Sequence, residues 1–283
     1  MKWRGRQGSD NIEDRRGQRG VVRTGQIGGV GLLVVLALGY FLGVDVTPLL
    51  NQGSVGDANT EVRELTEADQ QSAEFVSVVM KDTETIWREI FETQLGTQYQ
   101  PPKVVLFSQA TNSPCGDASG ATGPFYCPLD RMAYLDTEFF NQLSQQFGAG
   151  GDFAAAYVVA HEIAHHVQNL QGTLAQATAV RQRSSEEDSN RISVMIELQA
   201  DCFSGVWARY ANERLGTLEA GDIEEAMNAA QQIGDDTLQR AAGQRPMPDS
   251  FTHGSSEQRQ RWFATGYESA KLEQCDTFSA ADL

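Results

Sequence analysis

The chain has 283 residues, 40% hydrophobic and 21% charged, a balance that fits one or two folded domains and excludes wholesale disorder. Its 22 basic and 38 acidic residues give a formal charge of −16, which excludes a general nucleic-acid binder, because such proteins need a basic face to displace counterions from phosphates. No fixed period runs along the chain, so collagen, coiled-coil and solenoid architectures are excluded as well.

The charge is uneven. Residues 1–23 hold seven bases (Lys2, Arg4, Arg6, Arg15, Arg16, Arg19, Arg23) against three acids (Asp10, Glu13, Asp14). Next comes Ile27 to Val44, 18 residues without a charge. A helix of that length rises about 27 Å, close to the roughly 30 Å hydrocarbon core of a bilayer. The basic flank on its N-terminal side predicts a cytoplasmic N-terminus by the positive-inside rule. A cleaved signal peptide fits less well: the preceding tail is long and no Ala-x-Ala site follows the run. A buried core helix would carry polar residues at helical spacing, and this run has none. The expected organisation is a basic cytoplasmic tail (1–25), a single transmembrane anchor (26–46), a Gly- and Asn-rich linker (47–59) and one extracytoplasmic domain (60–283).

Within that domain, Phe75, Val76, Val79, Ile86, Trp87, Ile90 and Phe91 recur at helical spacing and predict a helix over 68–95. Lys103 to Phe107 reads as a strand after Pro101-Pro102, and Pro124–Cys127 and Met132–Leu135 as short strands around a Pro-Leu-Asp-Arg turn. From Thr137 the pattern is mostly helical. One helix stops near residues 148–151, and the next runs from Phe153 to about Leu170 with Asp152 as N-cap and Gly172 as terminator. A polar loop is expected over 182–190, then helices over 191–214, 220–233 and 256–272. A short β-layer followed by helices is an α+β pattern.

Four cysteines are present. Cys115 and Cys127 bracket a short stretch rich in Gly, Ser, Pro and Thr that suits a local staple, which leaves Cys202 and Cys275 as the default second pair. Three pairings are formally open. Neither spacing resembles the Cys-x-x-Cys of structural zinc sites, and disulfides agree with a location outside the cytoplasm.

Three of the four histidines fall in six residues, His161-Glu162-Ile163-Ala164-His165-His166. On a helix His161 and His165 share one face, so both imidazoles reach one metal ion, while Glu162 lies about 100° around the helix, placed to act on a bound water. This is the H-E-x-x-H pattern of zinc peptidases, here in an apolar helix beginning Ala154-Ala155-Ala156. A catalytic zinc site takes a third protein ligand. The best candidate is Glu197, with Asp201 one helical turn later placed to accept the other ring N–H of a ligand histidine. Apolar neighbours Met195, Ile196, Leu198 and Phe203 argue against a merely solvated acidic face.

His161-Glu162-x-x-His165-His166-x-Gln168, Glu197-Leu-Gln-Ala-Asp201-Cys202 and His253-Gly-Ser-Ser-x-x-Arg259 together resemble the neutral zinc metallopeptidases of bacteria. The resemblance also takes in Ser9 to Gly17, Gly123-Pro-Phe-Tyr-Cys127-Pro and Trp262-Phe263. It implies a zincin-like fold: a small mixed sheet packed on an active-site helix, a mainly helical C-terminal half, one transmembrane helix ahead of it, and a glutamate third ligand. The second and third motifs are also similar to those of HtpX-type membrane peptidases, from which this chain differs in its N-terminal half. That likeness implies an oxyanion-stabilising role for His253, with Arg259 fixing the same region by pairing with an acid. His166 is expected to be structural or to lie behind the ligands. The implied activity is hydrolysis of a polypeptide substrate by one catalytic Zn²⁺, with Glu162 as general base. By zincin analogy, the Met132–Leu135 strand would hold extended substrate by β-augmentation. Three rivals remain at this level: a non-catalytic membrane-anchored scaffold of the same fold, a zinc amidase acting on cell wall, and a structural zinc site.

Overall fold

The computed structural model describes residues 1–17, 65–108, 110–119, 123–145 and 148–283. Among these residues no helix is long and apolar enough to cross a membrane; the run Ile27–Val44 lies outside them. The described part is a mixed α+β structure with eight α-helices and a small mixed sheet.

Four strands form that sheet in the order β1 (Ile12–Asp14), β2 (Lys103–Phe107), β6 (Met132–Asp136), β5 (Phe125–Cys127). β1 is parallel to β2 and β2 to β6, whereas β5 returns antiparallel to β6. Alternation along β2 and β6 serves two apolar layers, as a period of two requires. Val104, Leu106, Ala133 and Leu135 join the main core, and Val105, Phe107 and Tyr134 form a smaller cluster with Cys127 on the other face. β3 (Ala110–Ser113) and β4 (Gly116–Ser119) make a separate hairpin, and the Cys115–Cys127 disulfide ties its turn to β5. β6 is paired on both sides, so the expectation that Met132–Leu135 offers an open edge is corrected: its hydrogen-bonding groups are taken by β2 and β5, and the edge belongs to β5.

The helices are α1 (Glu67–Ile90, continued by a π turn Phe91–Leu95), α2 (Thr137–Gln145), α3 (Asp152–Gln171), α4 (Thr173–Arg181), α5 (Glu186–Tyr210), α6 (Asp222–Gln232), α7 (Asp235–Ala241) and α8 (Ser256–Ser269). α3 is central. Nearly every residue from Phe153 to Gln168 is buried, as a helix apolar all round must be. Gly151, not Asp152, stands at its N-cap, and the Glu225 carboxylate supplies the cap by accepting from Phe153 N at 3.0 Å. Gly172 closes the helix at φ 80°, a left-handed conformation that suits glycine. The polar stretch 182–190 is not all loop. Ser185 caps α5, accepting from Asp188 N, and the acids that follow fill its first turn, where the helix dipole favours them.

α5 and α8 pack backbone to backbone. A Cβ on Gly266 would lie 1.9 Å from the Cys202 carbonyl oxygen, and one on Gly205 would lie 2.1 Å from that of Phe263. The Cys202–Cys275 disulfide ties α5 to the segment beyond α8.

Residues 1–17, assigned to a separate tail by the sequence reading, run across this body. Lys2 N donates to Thr217 O at 2.7 Å, Ser9 N to Ser77 O at 2.9 Å, and Arg15 N to Leu106 O at 2.8 Å. Trp3 is buried edge-on against Phe75, with its indole N–H on Asp152 at 3.1 Å.

Candidate metal centre

Two helices build the site. α3 carries His161, Glu162 and His165, and α5 carries Glu197 and Asp201. Both pairs are spaced one turn apart, so the facing helices present two imidazoles to one carboxylate. His161 Nε2 lies 3.1 Å from Glu197 Oε2, and His165 Nε2 lies 3.5 Å from Glu197 Oε1. One ligand atom from each of these three residues lies within 4.8 Å of the others. Zinc bonds of about 2.0–2.1 Å in a tetrahedron put neighbouring donor atoms about 3.3–3.4 Å apart, so the observed separations bracket what the ion needs.

The nitrogens facing away from this point are engaged. His161 Nδ1 contacts Asp201 Oδ1 at 2.9 Å, and His165 Nδ1 contacts Gln168 Oε1 at 2.8 Å. Both partners are oxygen acceptors, so each ring donates from Nδ1 and turns Nε2 toward Glu197, where a cation would replace the Nε2 proton. Asp201 is itself fixed. Arg259 Nε and Nη2 donate to its two oxygens at 2.9 and 3.0 Å, and Tyr157 OH donates to Oδ1 at 2.5 Å. All four groups are buried. Gln168 in turn donates to Ile196 O at 2.7 Å and to Gln199 Oε1 at 3.0 Å, and Gln199 donates to Cys275 O at 3.0 Å.

The electrostatics match a site that prefers a cation. Burial disfavours charge on His161, yet the Asp201 and Glu197 carboxylates outweigh it and push its pKa up to about 10. Burial opposes ionisation of Glu197, but the two imidazoles hold its carboxyl well below the usual range. A proton thus occupies the position a metal would take, and metal binding would release it. Burial raises the carboxyl of Glu162, against the pull of both histidines, which makes it a stronger base than an exposed glutamate.

A cleft of about 630 Å³ opens over this face. His161, Glu162, His165 and Glu197 line its floor, Gly123 to Tyr126 and Phe139 one part of its wall, and Leu174, Ile233 and His253 other parts. His253 is half exposed, and Asp235 holds its Nδ1 at 3.2 Å, which raises its pKa. Arg259 lies behind Asp201 and reaches the same cleft. Thus the structure gathers His161, Glu162, His165, Glu197, Arg259 and His253 around one cavity, with Asp201 buried behind His161. The cysteines stand apart as two disulfides, Cys115–Cys127 and Cys202–Cys275.

His166 faces away from the metal position. Its Nε2 donates to Gln100 O at 2.7 Å, and its Nδ1 meets the Tyr126 hydroxyl at 3.0 Å, which also accepts from Asn169 at 2.9 Å. This network pins the edge strand β5 to α3. Three contributors escaped the sequence reading, namely Tyr157, Gln168 in its hydrogen-bonding role, and Gln199. A signal for the first two existed, since Tyr157 precedes His161 by one turn and Gln168 follows His165 by nearly one.

Comparison with known proteins agrees with this chemistry. The family described as "Putative neutral zinc metallopeptidase" matches residues 1–278. The chain is 43% identical over 287 residues to the uncharacterized protein YpfJ of Escherichia coli strain K12, covering 98% of this chain and 99% of that one. It is 48% identical over 195 residues to the uncharacterized protein Rv2575 of Mycobacterium tuberculosis strain H37Rv, covering 65% of each. No solved structure matches.

Proposed function

Since the chain belongs to the neutral zinc metallopeptidase family, we propose that it is a zinc-dependent peptidase that cleaves polypeptide in the cleft above His161, His165 and Glu197. The observation that carries this reading is the convergence of three ligand atoms whose supporting partners are already in place. The two histidines and Glu197 would hold the ion. When bound, zinc acidifies a water and polarises the scissile carbonyl.

The chain's own residues do the rest. Glu162 accepts the water's proton and returns it to the leaving amine, a task its raised pKa suits. His253, protonated more readily because of Asp235, faces the cleft where a donor to a developing oxyanion is needed. β5 pairs only with β6 among the described strands, so its outer edge offers main-chain groups to an extended substrate. A structural zinc site is disfavoured, because it would leave the buried Glu162 without a task.

The test is metal content and hydrolysis on the full chain. Zinc near one equivalent is expected in the wild type and in Glu162→Gln, with reduced retention in Glu197→Ala. Hydrolysis of a denatured-protein substrate is expected in the wild type alone, with loss of at least about a hundredfold in Glu162→Gln. A wild type that retains no zinc after reconstitution would refute the reading. Full zinc with no hydrolysis of any polypeptide would move a binding or scaffold role to the front.

A further inference from the structure

We infer that residues 1–17 are an integral part of the catalytic body, so that they and residues 65–283 lie on the same side of any membrane the chain meets.

The argument begins with acids on α1. Asp82 is buried, and its hydrogen-bond partner is the Arg6 guanidinium, with Nη2 on Oδ1 at 2.7 Å and Nη1 on Oδ2. Glu84 is also buried and accepts from Asn11 Nδ2 at 2.8 Å and from Ser9 Oγ. A buried carboxylate without its partner is strongly unfavourable, so α1 has the composition of a helix that expects this arm. The sheet agrees. β1 covers β2 with three residue pairs in register, Val104 N donates to Asn11 O at 2.9 Å, and Ile12 packs on the main core. Without the arm β2 would be a bare edge of the sheet. Gly8 completes the fit, because a Cβ there would stand 2.3 Å from Ser77 Oγ.

Three of the seven basic residues behind the expected cytoplasmic tail are engaged in contacts of the same kind. Arg6 is paired with Asp82, Arg15 with Glu13, and Arg16 with Asp14 and the Asp69 carbonyl. Their charges have partners within the protein, which weakens the positive-inside reading. The family match also begins at residue 1, so the arm belongs to what the family shares. Two disulfides in the body then favour an oxidising compartment for both parts.

The test uses the full chain expressed in bacteria. All four native cysteines are in disulfides, so a membrane-impermeant maleimide reads only an added thiol. Asp10→Cys and Glu268→Cys are both at exposed positions, on the arm and on α8. In spheroplasts the two variants are expected to label alike, both before lysis or both only after it. Labelling of one before lysis and the other only after would overturn the inference. On purified full chain, Arg6→Ala is expected to lower Tm by about 5 °C, and Lys2→Ala, which removes the same charge from an exposed side chain, by less than about 2 °C. Equal Tm for wild type and Arg6→Ala would show an undocked arm and overturn the inference equally. Neither measurement depends on peptidase activity.

Discussion

Asp201 accepts hydrogen bonds from His161, Tyr157 and Arg259 at once, and it is fully buried. Asp201→Asn keeps its size but removes the charge opposite Arg259. Leaving that guanidinium buried and uncompensated is expected to cost about 3 kcal/mol, and loss of the partner to His161 to weaken zinc binding about 10–100-fold. Tyr157→Phe removes one donor and keeps the ion pair, so about 1 kcal/mol is expected. Urea midpoints and titration against a competing chelator read both, and equal effects from the two variants would count against Asp201 as the centre of the network. His166 gives a separate, pH-dependent signature. Burial pushes its pKa down to about 4, against about 6.5 in an unfolded chain. Between those values the unfolded state binds more protons, so this residue's contribution is present above about pH 6.5 and lost as pH falls toward 4. The full span is on the order of 3 kcal/mol. His166→Gln is expected to flatten the fall in stability between pH 6.5 and 4 relative to wild type.

At the scale of elements, α5 and α8 cross backbone to backbone, with Gly266 facing the Cys202 carbonyl and Gly205 facing that of Phe263. Gly266→Ala sets two effects against each other. Alanine favours a helix interior over glycine by about 1 kcal/mol, but a Cβ 1.9 Å from a backbone oxygen forces the helices apart. Backbone cannot give way as a side-chain tip does, so overpacking of about 1–3 kcal/mol wins and Tm falls. Because Asp201 and Arg259 meet across this crossing, zinc retention is expected to fall with it; a variant with raised Tm would show the crossing to be looser than described. The crossing was not legible in the sequence, where the two glycines lie 61 positions apart. What was legible rests on spacing that equals a helical turn: His161 with His165, and Glu197 with Asp201. The main helices and β2 were legible too, from period and terminators. β1 was missed because Ile-Glu-Asp offers one apolar residue and no alternation, and α4 and α7 because both are short, α4 largely exposed and α7 without a fully buried residue. The docking of residues 1–17 was not legible because Arg6 and Asn11 are informative only beside Asp82 and Glu84, 76 and 73 residues away.

At the scale of the whole molecule, the two disulfides divide the labour between the walls of the cleft. Cys202–Cys275 closes a separation of 73 residues that contains α6, α7, His253 and α8. On chain-entropy grounds its loss costs about 4 kcal/mol, against about 3 for Cys115–Cys127, whose separation is 12. The functional consequences should differ more than the stabilities. The Cys275 carbonyl holds Gln199, which holds Gln168, which holds the Nδ1 side of His165. Releasing Cys275 therefore loosens His165, a proposed metal ligand, through three hydrogen bonds. Cys127 instead ends β5, the edge proposed to take substrate, and touches none of that chain. The double variant Cys202→Ser/Cys275→Ser is expected to weaken zinc binding about tenfold. Cys115→Ser/Cys127→Ser should keep the metal affinity of the wild type and raise KM for peptide instead. Chelator competition on the two purified variants, each measured below its own Tm, separates these outcomes. Equal zinc loss from both would mean that the disulfides act only through global stability, and the relay to His165 would be withdrawn.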